Sequence, residues 1–179
     1  MSSDLDDGRL QIAGLAWLSV QRYPLPATGL IAGAMSSCGA APLHAVDTRR
    51  VVVPMHDGDA VWIGITAVAA GSLRAWGVVE TAHHGRVEIA SVAVAPMAIL
   101  AGLPHESGGL WPFARHPTVP GAPACRRLHL YLTGSAPESG NDAAVSLSFV
   151  APSAYRRLTG EDPGQPADPA HRFGQYLLG

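Results

Sequence analysis

Between Arg50 and Pro96 four apolar runs are separated by three short turn signals. Val51–Met55 leads into His56-Asp57-Gly58-Asp59, and Ala60–Val68 follows. Ala69-Ala70-Gly71-Ser72 turns that run into Leu73–Glu80, and Thr81-Ala82-His83-His84-Gly85 turns the next into Arg86–Ala95. Short runs rich in Val, Ile and Trp, broken by Asp-Gly and Gly, predict an antiparallel meander. Spacing this tight leaves no room for the 10–15-residue helical segments that a parallel α/β sheet needs between its strands.

The rest of the chain follows the same grammar. Arg9–Tyr23 alternates in part, through Leu10, Ile12, Leu15 and Trp17, until Pro24 and Pro26 end it. Gly29–Cys38 is a small-residue run suited to a buried strand, because Gly and Ala let a neighbouring layer approach closely. Gly39–Thr48 reads as a loop and Pro96–Ala124 as an irregular segment. Two further strands are expected. Arg126–Thr133 sets Leu128, Leu130 and Leu132 against Arg127, His129 and Tyr131, and Ala143–Val150 follows after the turn-rich stretch Ser135–Asp142. Pro152–Gly160 predicts one or two helical turns closed by glycine.

Eight candidate strands with little helix predict an all-β fold: a single antiparallel β-sandwich or jelly-roll-like domain with one long irregular loop. Its expected boundaries are an acidic leader at 1–8, the domain at 9–160, and a Pro-rich linker with an apolar tail at 161–179.

Length and composition narrow the function classes. At 179 residues the chain matches one domain, and 47% apolar against 15% charged residues speaks for a folded core. Net charge is −2, whereas a polyanion-binding surface shows a basic excess, so nucleic acid is not the expected partner. All 12 basic residues are arginine, which removes lysine-based covalent chemistry. The N-terminus lacks a basic, apolar signal segment, and Ile89–Pro104 is too short and proline-broken to span a bilayer. Cys38 and Cys125 read as buried thiols rather than a disulfide. A cytoplasmic protein without membrane contact is expected.

No nucleophile elbow, phosphate loop or dinucleotide fingerprint is present. His105-Glu106 begins like a zinc-protease motif, but Gly109 stands where the second histidine belongs. In a meander, alternate turns share one end of the sheet. That would put His56, Asp57, Asp59, His83 and His84 on one rim, ~10 Å apart. With His105, Glu106 and His116 from the 96–124 segment, these residues form the candidate divalent-metal set of a small hydrolase or lyase-like enzyme. The plainer explanation is turn chemistry, since Asp-Gly is ordinary hairpin sequence.

The 96–124 segment carries a second candidate surface. Trp111 and Phe113 offer an apolar platform and Arg115 a planar donor. The plainer expectation is that the segment staples Trp111 and Phe113 over an open edge or face of the sandwich. Phe173 and Tyr176 in the tail suggest docking on the chain's own domain or on another copy. The arginine pairs Arg49-Arg50 and Arg126-Arg127 stand just before expected strands, as edge gatekeepers do. The function expected first is therefore a non-catalytic binding or assembly module with a protein partner or a homo-oligomer. The metal-dependent enzyme is the alternative, and only it implies a cofactor. A third possibility uses the interior as a ligand chamber, with Trp17, Trp62 and Trp76 as walls.

Overall fold

Leu128, Leu130 and Leu132 are all buried, while Arg127 and Thr133 are exposed and His129 and Tyr131 half-buried. Period-2 alternation of this kind gives a strand one apolar face and one solvent face. The computed structural model describes residues 5–6, 8–31, 37–69, 71–134 and 142–166, and repeats that pattern in most of its strands. Among these residues the strands are β1 (Leu5–Asp6), β2 (Arg9–Ile12), β3 (Ala16–Pro24), β4 (His44–Ala45), β5 (Arg50–Pro54) and β6 (Asp59–Ala67). They continue with β7 (Leu73–Thr81), β8 (Arg86–Val94), β9 (Met97–Leu100), β10 (Gly102–Pro104), β11 (Leu110–Pro112), β12 (Cys125–Gly134) and β13 (Asp142–Val150). Among the described residues one helix, α1 (Pro152–Thr159), ends at Gly160 in the left-handed conformation, φ 76°.

The fold is all-β. A five-stranded antiparallel sheet runs β1-β2-β3-β6-β9, and a six-stranded sheet runs β4-β5-β13-β12-β7-β8. Every pairing in the second sheet is antiparallel except β5 with β13. The main core takes Leu18, Val20, Ile63 and Ile65 from the first sheet and Val53, Val79, Leu130, Leu147 and Phe149 from the second, and a small satellite cluster gathers Tyr23, Ala60 and Ala114. Helix α1 packs on β5 and buries Tyr155 completely.

The meander is not formed. Strand β5 lies in the six-stranded sheet, β6 crosses to the five-stranded one, and β7 crosses back. Only β7 and β8 make the expected hairpin. Alternation dictates which side of a strand is buried, but any neighbour that covers that side satisfies it, across the core as well as along the sheet.

The 96–124 segment is also more regular than expected. It supplies β9 on the free edge of β6, then the β10–β11 hairpin. Phe113 continues along that edge, accepting a backbone hydrogen bond from Val61. Residues 161–166 are not a free spacer: Pro163 is buried, and the Gln165 carbonyl accepts from Arg22 Nη2 at 3.4 Å.

Candidate functional site

Because Leu128, Leu130 and Leu132 point inward, their partners on β12 line the outer face of the six-stranded sheet. Tyr131 stands directly across from Trp76 on β7 and from Ala144 on β13. The Tyr131 and Trp76 rings stack at 4.1 Å with planes 14° apart, and Trp76 is 37% exposed. Trp76 and Tyr131, together with Arg49, Thr133, Asp142 and Ala144, line an open cleft of about 190 Å³. Sites for drug-sized ligands run to roughly 300–1,000 Å³, so this one has room for a single ring.

One row further along the strands, ~7 Å away, three strands place three polar side chains in a chain of hydrogen bonds. His129 on β12 faces Ser146 on β13 in register, and Glu80 on β7 sits diagonally beyond it. The His129 Nδ1–Ser146 Oγ distance is 2.8 Å and the Nε2–Glu80 Oε1 distance is 2.9 Å. A carboxylate can only accept, so Nε2 carries the imidazole proton and Nδ1 accepts from the Ser146 hydroxyl. The hydrogen bond from His129 holds the Glu80 carboxyl below its ordinary range, opposed by partial burial and helped by the charges of Arg127 and Arg86. Arg127 Nη1 lies 3.6 Å from the second oxygen of Glu80.

A second polar group lies at the end of the core. Arg22 is only 6% exposed, and its Nε and Nη1 have no hydrogen-bonding partner among the described residues. Asp59 Oδ2 is likewise buried and unpartnered. Burial lowers the Arg22 pKa, moderated by the charge of Asp59, and raises that of Asp59, moderated first by His56 and then by Arg22. His56 Nε2 donates to the Gly164 carbonyl at 3.0 Å and so ties residues 161–166 over this end.

The metal candidates divide among separate places. Asp57 accepts from Arg115 at 3.1 Å and lies 3.6 Å from His116, so these three do converge. His83 and His84 occupy the β7–β8 turn, where the His84 amide donates to Thr81 Oγ1. That turn shares an end of the sheet with the His56 turn, but β13 and β12 intervene, making three strand spacings or ~14 Å rather than two. His105 and Glu106 sit at the tip of the β10–β11 hairpin, with His105 Nδ1 against Ser107 Oγ at 2.7 Å. Among the described residues no group of three or more His, Cys, Asp or Glu is arranged to hold a metal ion.

Of the expected contact residues, Phe113 is fully buried in the core and Trp111 packs against it. Arg115 is turned toward Asp57. The segment therefore staples its aromatics onto its own sheet. Phe173 and Tyr176 lie outside the described residues. Trp17, Trp62 and Trp76 are no interior walls: each has the parity of its strand's outer face, since Leu18, Ile63 and Ala75 beside them fill the core. Burial raises the Cys125 thiol to about 12, which removes it as a nucleophile.

The residues that do converge were only partly visible in the sequence. Tyr131 and His129 appeared as the polar half of an alternation, and their cross-strand partners Trp76, Ser146 and Glu80 depend on register. Arg22 had a local signal, as it continues the inward row Leu18, Val20. No known family model, curated protein or solved structure matches this chain.

Proposed function

We propose that this chain is a β-sandwich binding module whose ligand is a sugar ring, held on the outer face of the six-stranded sheet beside Tyr131. The observation that carries this reading is the Trp76–Tyr131 stack bordering a cleft of single-ring size. An aromatic face packs against the C–H face of a pyranose, and the second ring behind it fixes the first. Arg49 offers donors, Asp142 acceptors and Thr133 both, which matches a ring bearing hydroxyls all round. A nucleotide fits less well, since its phosphate would meet Asp142 and a chain of net charge −2.

A single ring in an open cleft gives weak binding, on the order of a millimolar Kd. The test is a glycan panel followed by titration of the best binder, read by Trp fluorescence. Tyr131→Ala is expected to weaken binding at least about tenfold by removing the platform. Ala144→Leu, which fills the cleft from a surface position, is expected to abolish binding with the melting temperature kept. Full affinity in Ala144→Leu, or no glycan bound by the wild type, sinks the reading.

A further inference from the structure

We propose that Ser146, His129 and Glu80 form a nucleophilic relay that removes an ester-linked acyl group from the sugar held in the neighbouring cleft. This deepens the sugar-binding reading and rests on it for the substrate. The geometry stands alone. Both hydrogen bonds, 2.8 and 2.9 Å, lie within the reach that proton transfer needs, and the acid–imidazole–hydroxyl order fixes the tautomer that leaves Nδ1 as a base. A polar ladder on a sheet face needs no such order. Here three adjacent strands each contribute one member. Arg50 on β5, directly across from Ser146, adds a fourth group to the row.

Arg50 donates its Nε to Asp47 at 2.6 Å, which steadies the guanidinium and partly offsets its charge, and the β5–β13 register places this cation in the row of Ser146. The relay is half-buried rather than enclosed, with His129 at 21% side-chain exposure, so a substrate can approach from solvent without a lid. The cleft spans the rows of Tyr131–Ala144 and Thr133–Asp142, so its near edge lies one row from Ser146, ~7 Å, and the substrate that fits is one whose acyl group projects from the Tyr131 end of the ring toward His129.

The chemistry balances with water as the only co-substrate. Ser146 Oγ bonds to the ester carbonyl carbon as its proton passes to His129 Nδ1, and the carbonyl oxygen takes the negative charge beside Arg50. The bond from the carbonyl carbon to the sugar oxygen then breaks, and that oxygen takes the proton from Nδ1, leaving acyl-Ser146 and a free hydroxyl. Water attacks the acyl-serine by the same route, giving up a proton to Nδ1. The carboxylic acid leaves, and the proton returns to Ser146 Oγ.

The experiment exposes the full chain to a fluorophosphonate and follows it by intact mass and peptide mapping, alongside hydrolysis of 4-nitrophenyl acetate and of an acetylated sugar. One adduct on Ser146 is expected, with turnover falling by about 100-fold or more in Ser146→Ala and in His129→Ala. Absence of an adduct on Ser146, or ester hydrolysis unchanged in Ser146→Ala, overturns the relay. If wild type binds glycans and is not labelled, the relay falls and the binding reading stands. If Ser146 is labelled and no glycan binds, the relay stands and the sugar assignment falls.

Discussion

Arg22 and Asp59 are diagonal neighbours on the core-facing side of the five-stranded sheet. Arg22 is opposite Val61 in the β3–β6 register, and Asp59 lies two residues back on β6, in the row that continues into Val61, Ile63 and Ile65. Each side chain keeps a buried polar atom without a partner, and no ion pair joins the two. Charge compensation without direct contact places this end of the core under electrostatic strain that apolar residues would not carry.

Replacement of one member should therefore cost more than replacement of both. Arg22→Met is expected to lose about 1–2 kcal/mol, because Asp59 keeps its buried oxygen and loses one of its two compensating charges, leaving His56 alone. The double variant Arg22→Met with Asp59→Leu is expected to recover to wild-type stability or above it. Urea unfolding of the four proteins at neutral pH completes the cycle. A single Arg22→Met variant more stable than wild type would show that the two charges are not coupled.

Gly102 makes the β10–β11 hairpin dependent on a missing side chain. A methyl there would overlap the carbonyl of Trp111 across the pair. Gly102→Ala should cost about 2–3 kcal/mol by overpacking, a drop of about 4–12 °C in Tm for a chain of this size. At the tip of the same hairpin Gly108 has φ 84° and open space around it, so Gly108→Ala should cost only the conformational penalty, about 1–2 kcal/mol. Equal losses at the two sites would remove the steric argument.

Residues 161–166 should stabilise the domain as a strap. They bury Pro163 and bring two carbonyls to His56 and Arg22, while Asp162 pairs with Arg156 at 2.9 Å. A chain stopped after Gly160 is expected to unfold about 1–3 kcal/mol more easily than one stopped after Pro166. Thermal melts of the two truncations, side by side, decide the matter. Matching melting temperatures would mean that the strap adds nothing.

How much of this was legible depends on the distance over which each feature is encoded. Strands β12 and β13 and the Gly160 cap are local patterns, readable from alternation and from a glycine at a helix end. Which strand lies beside which is not local. The runs 51–55, 60–68 and 73–80 fit a meander as well as they fit strands traded between two sheets, and packing across a shared core chose the second. The candidate site inherits that limit. Trp76 with Tyr131, and Ser146 with His129 and Glu80, are cross-strand neighbours separated by 17 to 55 positions, and register alone unites them. The tryptophans misled for a related reason: Trp17, Trp62 and Trp76 occupy the outward parity of their strands, which hydrophobicity by itself does not reveal.

The Glu80–His129 hydrogen bond should appear in the acid stability of the protein. Glu80 has a folded pKa below its unfolded value, so its contribution is present above the ordinary carboxyl range, about pH 4.3, and is lost as pH falls through the folded value. Its side chain is 38% exposed, and solvent screening keeps the contribution to about 1 kcal/mol or less. Wild type should exceed Glu80→Gln in urea midpoint at pH 7, and the gap should narrow toward zero by about pH 3. A gap that widens on acidification would mean that the carboxylate costs stability. The same variant probes the relay, because an amide can donate as well as accept and no longer forces the imidazole proton onto Nε2. Fluorophosphonate labelling of Ser146 should therefore slow in Glu80→Gln even at pH 7, where the loss of stability leaves the protein folded.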